Sequence, residues 1–407
     1  MSVRYVVQKY GGSSVASADH IRRVALRVRE ARSRYDGVCV VVSAMGDTTD
    51  ELIELAHQLT DDPPAREMDM LMSTGEMQTA PLLAMRLCAV GVDSVSLTGL
   101  QAGIRTSGTH RKARIVDIVP ERIIEALRDG RVPVIAGFQG VSESFDITTL
   151  GRGGSDTSAV ALAAALHADH CEIYTDVRGV FTADPRLVPE ARPIPEISYE
   201  EMLEFAAVGA KVMHPRAVEI GEAYDMPIWV RSSFDESPGT IITRHPKLED
   251  RQKVRGIAHE TDVAKLTLLR VPDRPGIAAA IFGPLAERHV NVDVILQNVG
   301  HDGRTDVSFT IAGSDLRQAR DVVDAIAREI GADGVEATGD IAKVSVVGTG
   351  MLNTPGIAAT MFRTLAEERI NIQLISTSEI RITCIIDRES VQRAVRALHR
   401  AYALDVL

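Results

Sequence analysis

Apolar residues in the first part of the chain come in short, continuous runs separated by longer amphipathic stretches. Val6-Val7-Gln8-Lys9-Tyr10, Gly37 to Ser43, Val132 to Phe138, Cys171 to Asp176 and Ile228 to Arg231 are such runs. Most are rich in β-branched residues, so they predict strands buried on both faces. Helical patterns lie between them, at Ala18 to Arg34 and Ser158 to His167 for example. Buried strands alternating with helices predict an α/β domain over residues 1–245, a mostly parallel sheet sandwiched by helices. On such sheets ligands bind beyond the carboxyl ends of the strands. The glycine-rich and polar segments Gly11 to Ser14 and Ala44 to Thr49 follow strands, as that rule asks.

The pattern changes after Ser232. Proline, glycine and charge crowd the segment Ser232 to Arg255, which reads as a domain boundary. Beyond it the chain repeats itself. Asp273-Arg274-Pro275-Gly276-Ile277-Ala278 answers Asn353-Thr354-Pro355-Gly356-Ile357-Ala358, and Leu285 to Val292 answers Leu365 to Ile372, at a spacing of about 80 residues. Each copy reads strand, Pro-Gly loop, helix, strand, strand, helix, the ferredoxin-like βαββαβ order. The second copy lacks its closing strand, while a strand-like piece, Val254 to His259, stands unassigned before the first copy. The first copy (263–337) is therefore expected to be nested inside the second (252–262 and 338–407). The plain alternative is a frayed, incomplete sheet.

Composition narrows the function. The chain of 407 residues carries a net charge of −11 and only 4% aromatic residues, which disfavours a nucleic-acid partner. An anionic small substrate would have to be drawn by a local basic site. The four cysteines form no CxxC pair, so neither a zinc ribbon nor a redox motif is indicated. They are expected to be reduced core thiols. The first strand is expected to start at Val3 with no apolar leader before it, and no stretch reaches membrane-spanning length, so a cytoplasmic protein is expected.

The most informative segment is Val6 to Ser14. A strand runs into Gly11-Gly12, where no Cβ obstructs a ligand, and a helix opens shortly after. Strand, glycine turn and helix N-terminus make an anion cradle. Lys9 stands at its mouth, where a point positive charge suits a phosphate. A tight turn with an incidental lysine is the alternative. No Walker A motif and no GxGxxG after the first strand is present, so neither common nucleotide fingerprint applies.

Lys9-Tyr10-Gly11-Gly12-Ser13-Ser14, Val42 to Gly46, Thr74-Gly75-Glu76, Gly151 to Thr157, Tyr174 to Val177, Asp184-Pro185-Arg186 and Gly209 to Ala217 occur in the order seen in aspartokinases. The paired C-terminal repeats resemble the ACT domains of the same enzymes, so the resemblance covers essentially the whole chain. It implies ATP-dependent phosphorylation of the β-carboxylate of L-aspartate, with feedback by lysine and/or threonine. A carboxylate nucleophile is already ionised, so the reaction needs positioning and charge neutralisation more than a base. The expected catalytic residues are Lys9, on the transferred phosphate, and Asp156, orienting Lys9. By resemblance ATP meets Lys9, Tyr10, Gly11, Gly12, Ser13, Ser43, Thr175, Asp176, Phe181, Asp184, Arg186 and Lys211, with the amides of Gly11 and Gly12 as cradle donors. Phe181 stands where the family commonly has tyrosine, so a hydroxyl is lost there. Mg²⁺ is expected on phosphate oxygens and water, without a dedicated protein cage.

Aspartate needs a cation for its α-carboxylate and an anion for its ammonium. Arg152 offers a planar fork and Glu76 a counter-charge; by resemblance both bind aspartate, with Thr49, Gly153, Gly154 and Ser155 nearby. On residue type alone, Glu76 could as well be a solvated helix residue and Asp184-Pro185-Arg186 a turn with a local ion pair. His214-Pro215 reads as packing and turn rather than catalysis. In the repeats, the resemblance places effector contacts at Asp273, Gly276, Ala278, Asn291, Val292, Asp293 and Gln297, and at Asn371, Ile372, Ser378 and Glu379. It also implies a homo-oligomer joined through these repeats, most simply a dimer. A glutamate-type kinase and a non-catalytic amino-acid sensor are the competing readings. The Arg152 motif and the tandem repeats speak against the first, and the intact Lys9, Glu76, Arg152 and Asp156 set against the second.

Overall fold

A computed structural model describes residues 4–209, 212–246, 253–298, 302–351 and 354–406. Val3 and Lys211 lie outside the described residues. The chain divides into two compact units. The first comprises Met1–Phe181, Pro193–Ala207 and Lys211–Arg251, and the second Thr182–Arg192, Val208–Ala210 and Gln252–Leu407.

The first unit opens with β1 (Tyr5–Tyr10), α1 (Ala18–Ala31), β2 (Gly37–Val42), α2 (Thr48–Leu59) and α3 (Ala65–Ala89). Then come β3 (Ser94–Leu97), β4 (Ile104–Thr106), β5 (Ile115–Ile118), α4 (Glu121–Arg128), β6 (Val132–Ala136), β7 (Gln139–Val141) and β8 (Ile147–Thr149). It ends with α5 (Gly154–Ala165), β9 (His170–Thr175), β10 (Glu196–Ser198), α6 (Tyr199–Ala207), α7 (Pro215–Tyr224), β11 (Ile228–Ser232) and β12 (Thr240–Thr243).

Eight strands form the main sheet in the order β10-β12-β11-β9-β1-β2-β6-β3. β1 pairs in parallel with both β2 and β9, while β12 runs antiparallel to β11 and β10 runs parallel to β12, so these two edge strands are the reversed ones. Val6, Val38, Val40, Val42, Val132 and Val134 pack against Val24 and Val28 of α1 and Leu83 and Leu87 of α3. α1 buries Ile21, Val24, Ala25 and Val28 at helical spacing and is capped by Ser17, whose Oγ accepts the His20 N–H. It stops at Ala31, earlier than the expected Arg34, because the last apolar position facing the sheet is Ala31. The Ser232–Arg255 boundary also holds more structure than expected. Thr240-Ile241-Ile242-Thr243 is β-branched throughout and forms β12 inside the sheet. A second, four-stranded sheet, β5-β4-β7-β8, was not foreseen. Its strands are three or four residues long, too short to show a period.

The second unit contains β13 (Gly256–Pro272), α8 (Ile277–Glu287), β14 (Ile295–Gln297), β15 (Arg304–Ala312), α9 (Leu316–Ile330) and β16 (Gly334–Val347). It closes with α10 (Ile357–Glu367), β17 (Leu374–Thr377), β18 (Arg381–Asp387) and α11 (Val391–Ala401). One six-stranded sheet, β14-β15-β13-β16-β18-β17, serves both repeats. β13 and β16 are long enough to be shared. Val263 to Pro272 pairs with β15, whereas Gly256 to Glu260 pairs with Lys343 to Val347, beside β18. The piece before the first repeat thus supplies the closing strand of the second. Gly276 and Gly356 occupy equivalent positions before α8 and α10, with φ of 91° and 99°. Those conformations are natural only to glycine.

The segment Thr182–Arg192, expected with the first domain, belongs to the second unit. Ala183 and Val188 lie in the hydrophobic core formed by Ile257, Val344, Met361 and Leu398. Thr182 Oγ1 lies 2.9 Å from His399 Nε2, and the Thr182 carbonyl accepts the Ile257 N–H. Of the cysteines, Cys39, Cys171 and Cys384 are buried as expected, and burial pushes the Cys39 thiol up to about 12. Cys88 departs from that expectation. It is exposed at the end of α3, where its Sγ lies 3.3 Å from Ser94 Oγ of the edge strand β3. Among the described residues no helix is long and apolar enough to cross a membrane.

Candidate active site

Strand alternation decides which side chains of β1 can reach the cradle. Lys9 points to the α5 side, where its Nζ meets Asp156 Oδ1 at 2.5 Å, and both groups are nearly buried. Tyr10 points the other way. Its ring stacks on Tyr174 with centroids 4.9 Å apart, and its hydroxyl donates to Gln8 Oε1 at 3.1 Å. The expectation that Tyr10 meets ATP therefore fails for its side chain, which is fully buried in the core.

The glycine turn is likewise more specific than the sequence suggested. The Gly11 N–H donates to the Tyr174 carbonyl at 3.1 Å, so this amide is a strand-end bond and not a cradle donor. The N–H groups of Gly12 and Ser13, at the head of a short 3-10 turn, have no partner among the described residues. A Cβ on Gly12 would stand 3.1 Å from both the Ala44 and Gly46 carbonyls. The turn after β1 is thus pressed against the turn after β2, and a side chain there would crowd both carbonyls. Ser43 is half-buried at the end of β2, and Ser13 is exposed.

α3 brings Glu76 to the same place. Gly75 allows this, since a Cβ there would lie 2.7 Å from Ala44 Cβ. Glu76 is only 3% exposed, which overturns the reading of it as a solvated helix residue. Its Oε1 accepts the Ala44 N–H at 3.0 Å, and its Oε2 has no hydrogen-bond partner among the described residues. Burial pushes the carboxyl up to about 7, against the opposing pull of the Ala44 N–H and of Lys9. A buried carboxylate oxygen without a donor implies a partner that arrives from outside.

The loop before α5 completes the site. Gly153 has φ 69°, and a Cβ on it would collide with the His214 ring. His214 also caps α7, with Nδ1 accepting the Arg216 N–H at 3.3 Å, in keeping with the packing role expected of it. Arg152 is exposed, and no ion pair or hydrogen bond occupies its guanidinium among the described residues. Ser155 is buried against Gly137 at the end of β6, and Thr49 is half-buried in the first turn of α2. Lys9, Gly12, Ser43, Glu76 and Gly153 to Asp156 thus gather beyond the carboxyl ends of β1, β2 and β6. The backbone of Ala44 serves both Gly12 and Glu76, and an alanine in a loop carries no sequence signal of such a role.

The other expected ATP residues are more scattered in sequence. Thr175 donates its hydroxyl to Asp176 Oδ1 at 3.0 Å after β9, and Phe181 is half-buried in an isolated bridge with Pro193. Asp184 and Arg186 lie in the second unit and pair with each other, Nη2 to Oδ2 at 2.8 Å. The Arg186 side chain, with its backbone N–H assisting, holds the Asp184 carboxyl below its ordinary value. In the repeats, Asp273, Gly276, Ala278, Asn291, Gln297, Asn371, Ser378 and Glu379 are exposed, while Val292 and Ile372 are half-buried. Asp293 already has a cationic partner, Lys343 Nζ from β16. Its carboxylate is exposed and ion-paired at once.

Residues 4–232 match the amino acid kinase family, and residues 266–330 and 344–402 each match the ACT domain. The chain is 52% identical to the aspartokinase of Mycolicibacterium smegmatis over 98% of this chain and 96% of that one. The chain belongs to the aspartokinase family. Among solved structures it is similar to E. coli aspartokinase III in complex with aspartate and ADP in the R-state. There the TM-score is 0.83 and the identity 26%, covering 98% of this chain and 99% of that one. The same enzyme in complex with lysine and aspartate in the T-state matches with a TM-score of 0.75 and 26% identity, covering 97% and 99%.

Proposed function

We infer that this protein transfers the γ-phosphoryl group of ATP to the β-carboxylate of L-aspartate and is controlled by an amino acid bound at its ACT domains. The observation that carries the reading is the disposition of charges beyond β1, β2 and β6. Lys9 is held by Asp156 beside the Gly12 and Ser13 amides, which have no partner among the described residues, so phosphate charge can be received there. Among the described residues, Glu76 presents an oxygen and Arg152 a guanidinium without a partner. These suit the ammonium and the α-carboxylate of one small amino acid.

In this arrangement Asp156 fixes Lys9 by an ion pair and takes no proton. Lys9 then neutralises charge as the phosphoryl group passes to the carboxylate, which is ionised already. The open Gly12–Ser13 turn and the basic group beside it suit a polyphosphate. Mg²⁺, held mainly through phosphate oxygens, would supply further charge neutralisation there. Among the described residues no group of three or more acidic, histidine or cysteine side chains stands together to form a cage. Thr175, Asp176, Phe181 and Lys211 remain the proposed remainder of the nucleotide site.

Lysine and/or threonine is the proposed effector, and lysine is named in the complex of the E. coli relative. The proposed assembly is a dimer through the ACT sheet. Its edge strands carry exposed apolar side chains, Ile295 and Leu296 on β14 and Ile375 on β17, which an isolated subunit would leave in water. The proposed location is the cytoplasm. The test is an acyl-phosphate assay trapped with hydroxylamine, run with aspartate and glutamate, then with lysine and threonine separately and together. Hydroxamate formation dependent on both ATP and aspartate is expected. Turnover of glutamate in preference would overturn the substrate, and insensitivity to both amino acids would overturn the control.

A further inference from the structure

We propose that Asp69, which touches none of the reacting groups, is a positioning residue that sets the span between the two ends of the aspartate pocket. The inference rests on the assignment of Glu76 and Arg152 to the substrate. Asp69 lies on α3 two turns before Glu76, so both carboxylates leave the same face of one helix. It is fully buried. Its Oδ1 accepts the Thr149 hydroxyl at 2.6 Å, both oxygens receive the Arg111 N–H at 3.0 Å, and Oδ2 lies 2.8 Å from His110 Nδ1.

Thr149 is the last residue of β8, and Arg152 follows three residues later. A buried carboxylate therefore ties the helix that carries Glu76 to the strand that leads into the Arg152 loop. The same segment is held from a second side. Arg216, in the first turn of α7, donates Nη1 to the Leu150 carbonyl at 2.7 Å and Nη2 to the Ala113 carbonyl at 2.8 Å. The Arg111 loop closes the frame, since a Cβ on Gly151 would stand 2.9 Å from the Arg111 carbonyl. Arg111 itself is left-handed, with φ 66°, a conformation that the bond from its N–H to Asp69 helps to retain.

A carboxylate is the side chain this frame needs. Its two oxygens offer only acceptor sites, and the groups around it are donors or can be. Asparagine has the same shape, but one of its two ends donates. Whichever end is the nitrogen, it stands against the Arg111 N–H, which reaches both positions and can only donate, and the loop would shift to relieve the conflict. Arg152 recognises a carboxylate through a planar fork, so a small displacement of its backbone is felt in binding. The nucleotide cradle hangs on β1 and β2 and receives none of the Asp69 bonds.

The experiment measures kcat and both KM values for D69N, T149V, T149S and R152K, below the melting temperature of each. D69N should raise the KM for aspartate by about 10- to 100-fold, as expected for misplacement of a binding group, with the KM for ATP nearly unchanged. T149V removes one donor but keeps the charge of Asp69, so it stays informative if D69N fails to fold. It should shift the aspartate KM the same way by a smaller factor, and T149S, which restores the hydroxyl, should return it to normal. A merely structural role would lower the fraction of active enzyme, reducing kcat with both KM values intact, and that result overturns the proposal. R152K raised in aspartate KM with D69N and T149V normal overturns the brace alone. R152K with a normal aspartate KM overturns the reading of Arg152 and the brace with it.

Discussion

The buried Glu76 carboxylate should weigh against the stability of the ligand-free protein, and the size of that effect can be worked from its surroundings. Burial raises its carboxyl from the ordinary 4.5 to about 7. A folded-state value above the unfolded one means that stability is complete below about pH 4.5 and is lost as the pH rises through 7. Over that window the unfolded chain has released the proton and the folded chain still holds it. The loss is about 3 kcal/mol at about 1.4 kcal/mol for each tenfold change in proton affinity. Glu76→Gln keeps the shape and can still accept the Ala44 N–H, but it has no proton to lose. The difference in denaturation free energy between E76Q and the parent should therefore be near zero at pH 4.5. It should grow steadily in favour of E76Q, then level off above pH 7. Denaturant titrations of both chains at several pH values, without substrate, measure this directly. At pH 8 the same substitution should raise the KM for aspartate roughly 10- to 100-fold, the worth of a hydrogen bond to a charged group. The stabilised protein should thus be the poorer enzyme. Parallel loss of stability by the two chains between pH 5 and pH 8 would refute the buried-carboxylate reasoning, whatever happened to KM.

Two further outcomes are expected. Lys9→Ala should remove most turnover, by about 2.7–4 kcal/mol of barrier as for other electrostatic donors, while circular dichroism shows the fold retained; near-normal kcat would remove Lys9 from the mechanism. Asp273→Ala should relieve feedback by about 1–3 kcal/mol, the usual coupling range, without altering uninhibited kcat. Inhibition curves for lysine and threonine check this, and unchanged sensitivity in both would take Asp273 out of the effector site.

The sequence alone determined what depends on local pattern. Continuous β-branched runs could be buried only in a sheet covered on both faces, and β1, β2, β6, β9 and β11 lie where those runs lie. The repeats were legible because each is one supersecondary unit. The closing strand missing from the second copy pointed to the piece before the first, and Gly256 to Glu260 pairs there. Lys9, Glu76, Arg152 and Asp156 were marked by their motifs.

What the sequence left open depends on direction and on partners distant in the chain. Lys9 and Tyr10 are neighbours in one motif, but the pleat sends them to opposite faces, one to Asp156 and the other to Tyr174. The Gly11 N–H was spoken for by a carbonyl more than 160 residues away. Asp293 met Lys343 only because β16 runs beside β13. Asp184 and Arg186 joined the second unit because Ala183 and Val188, beside them in sequence, found their apolar partners there. The burial of Glu76 and Asp69 was invisible for the same reason. A carboxylate in a helical stretch looks alike in the sequence whether its face meets water or the end of a sheet. Only the packing of α3 against the β2 turn and β8 decides which carboxylates lose their solvent, and so which of them can hold a substrate or a loop in place.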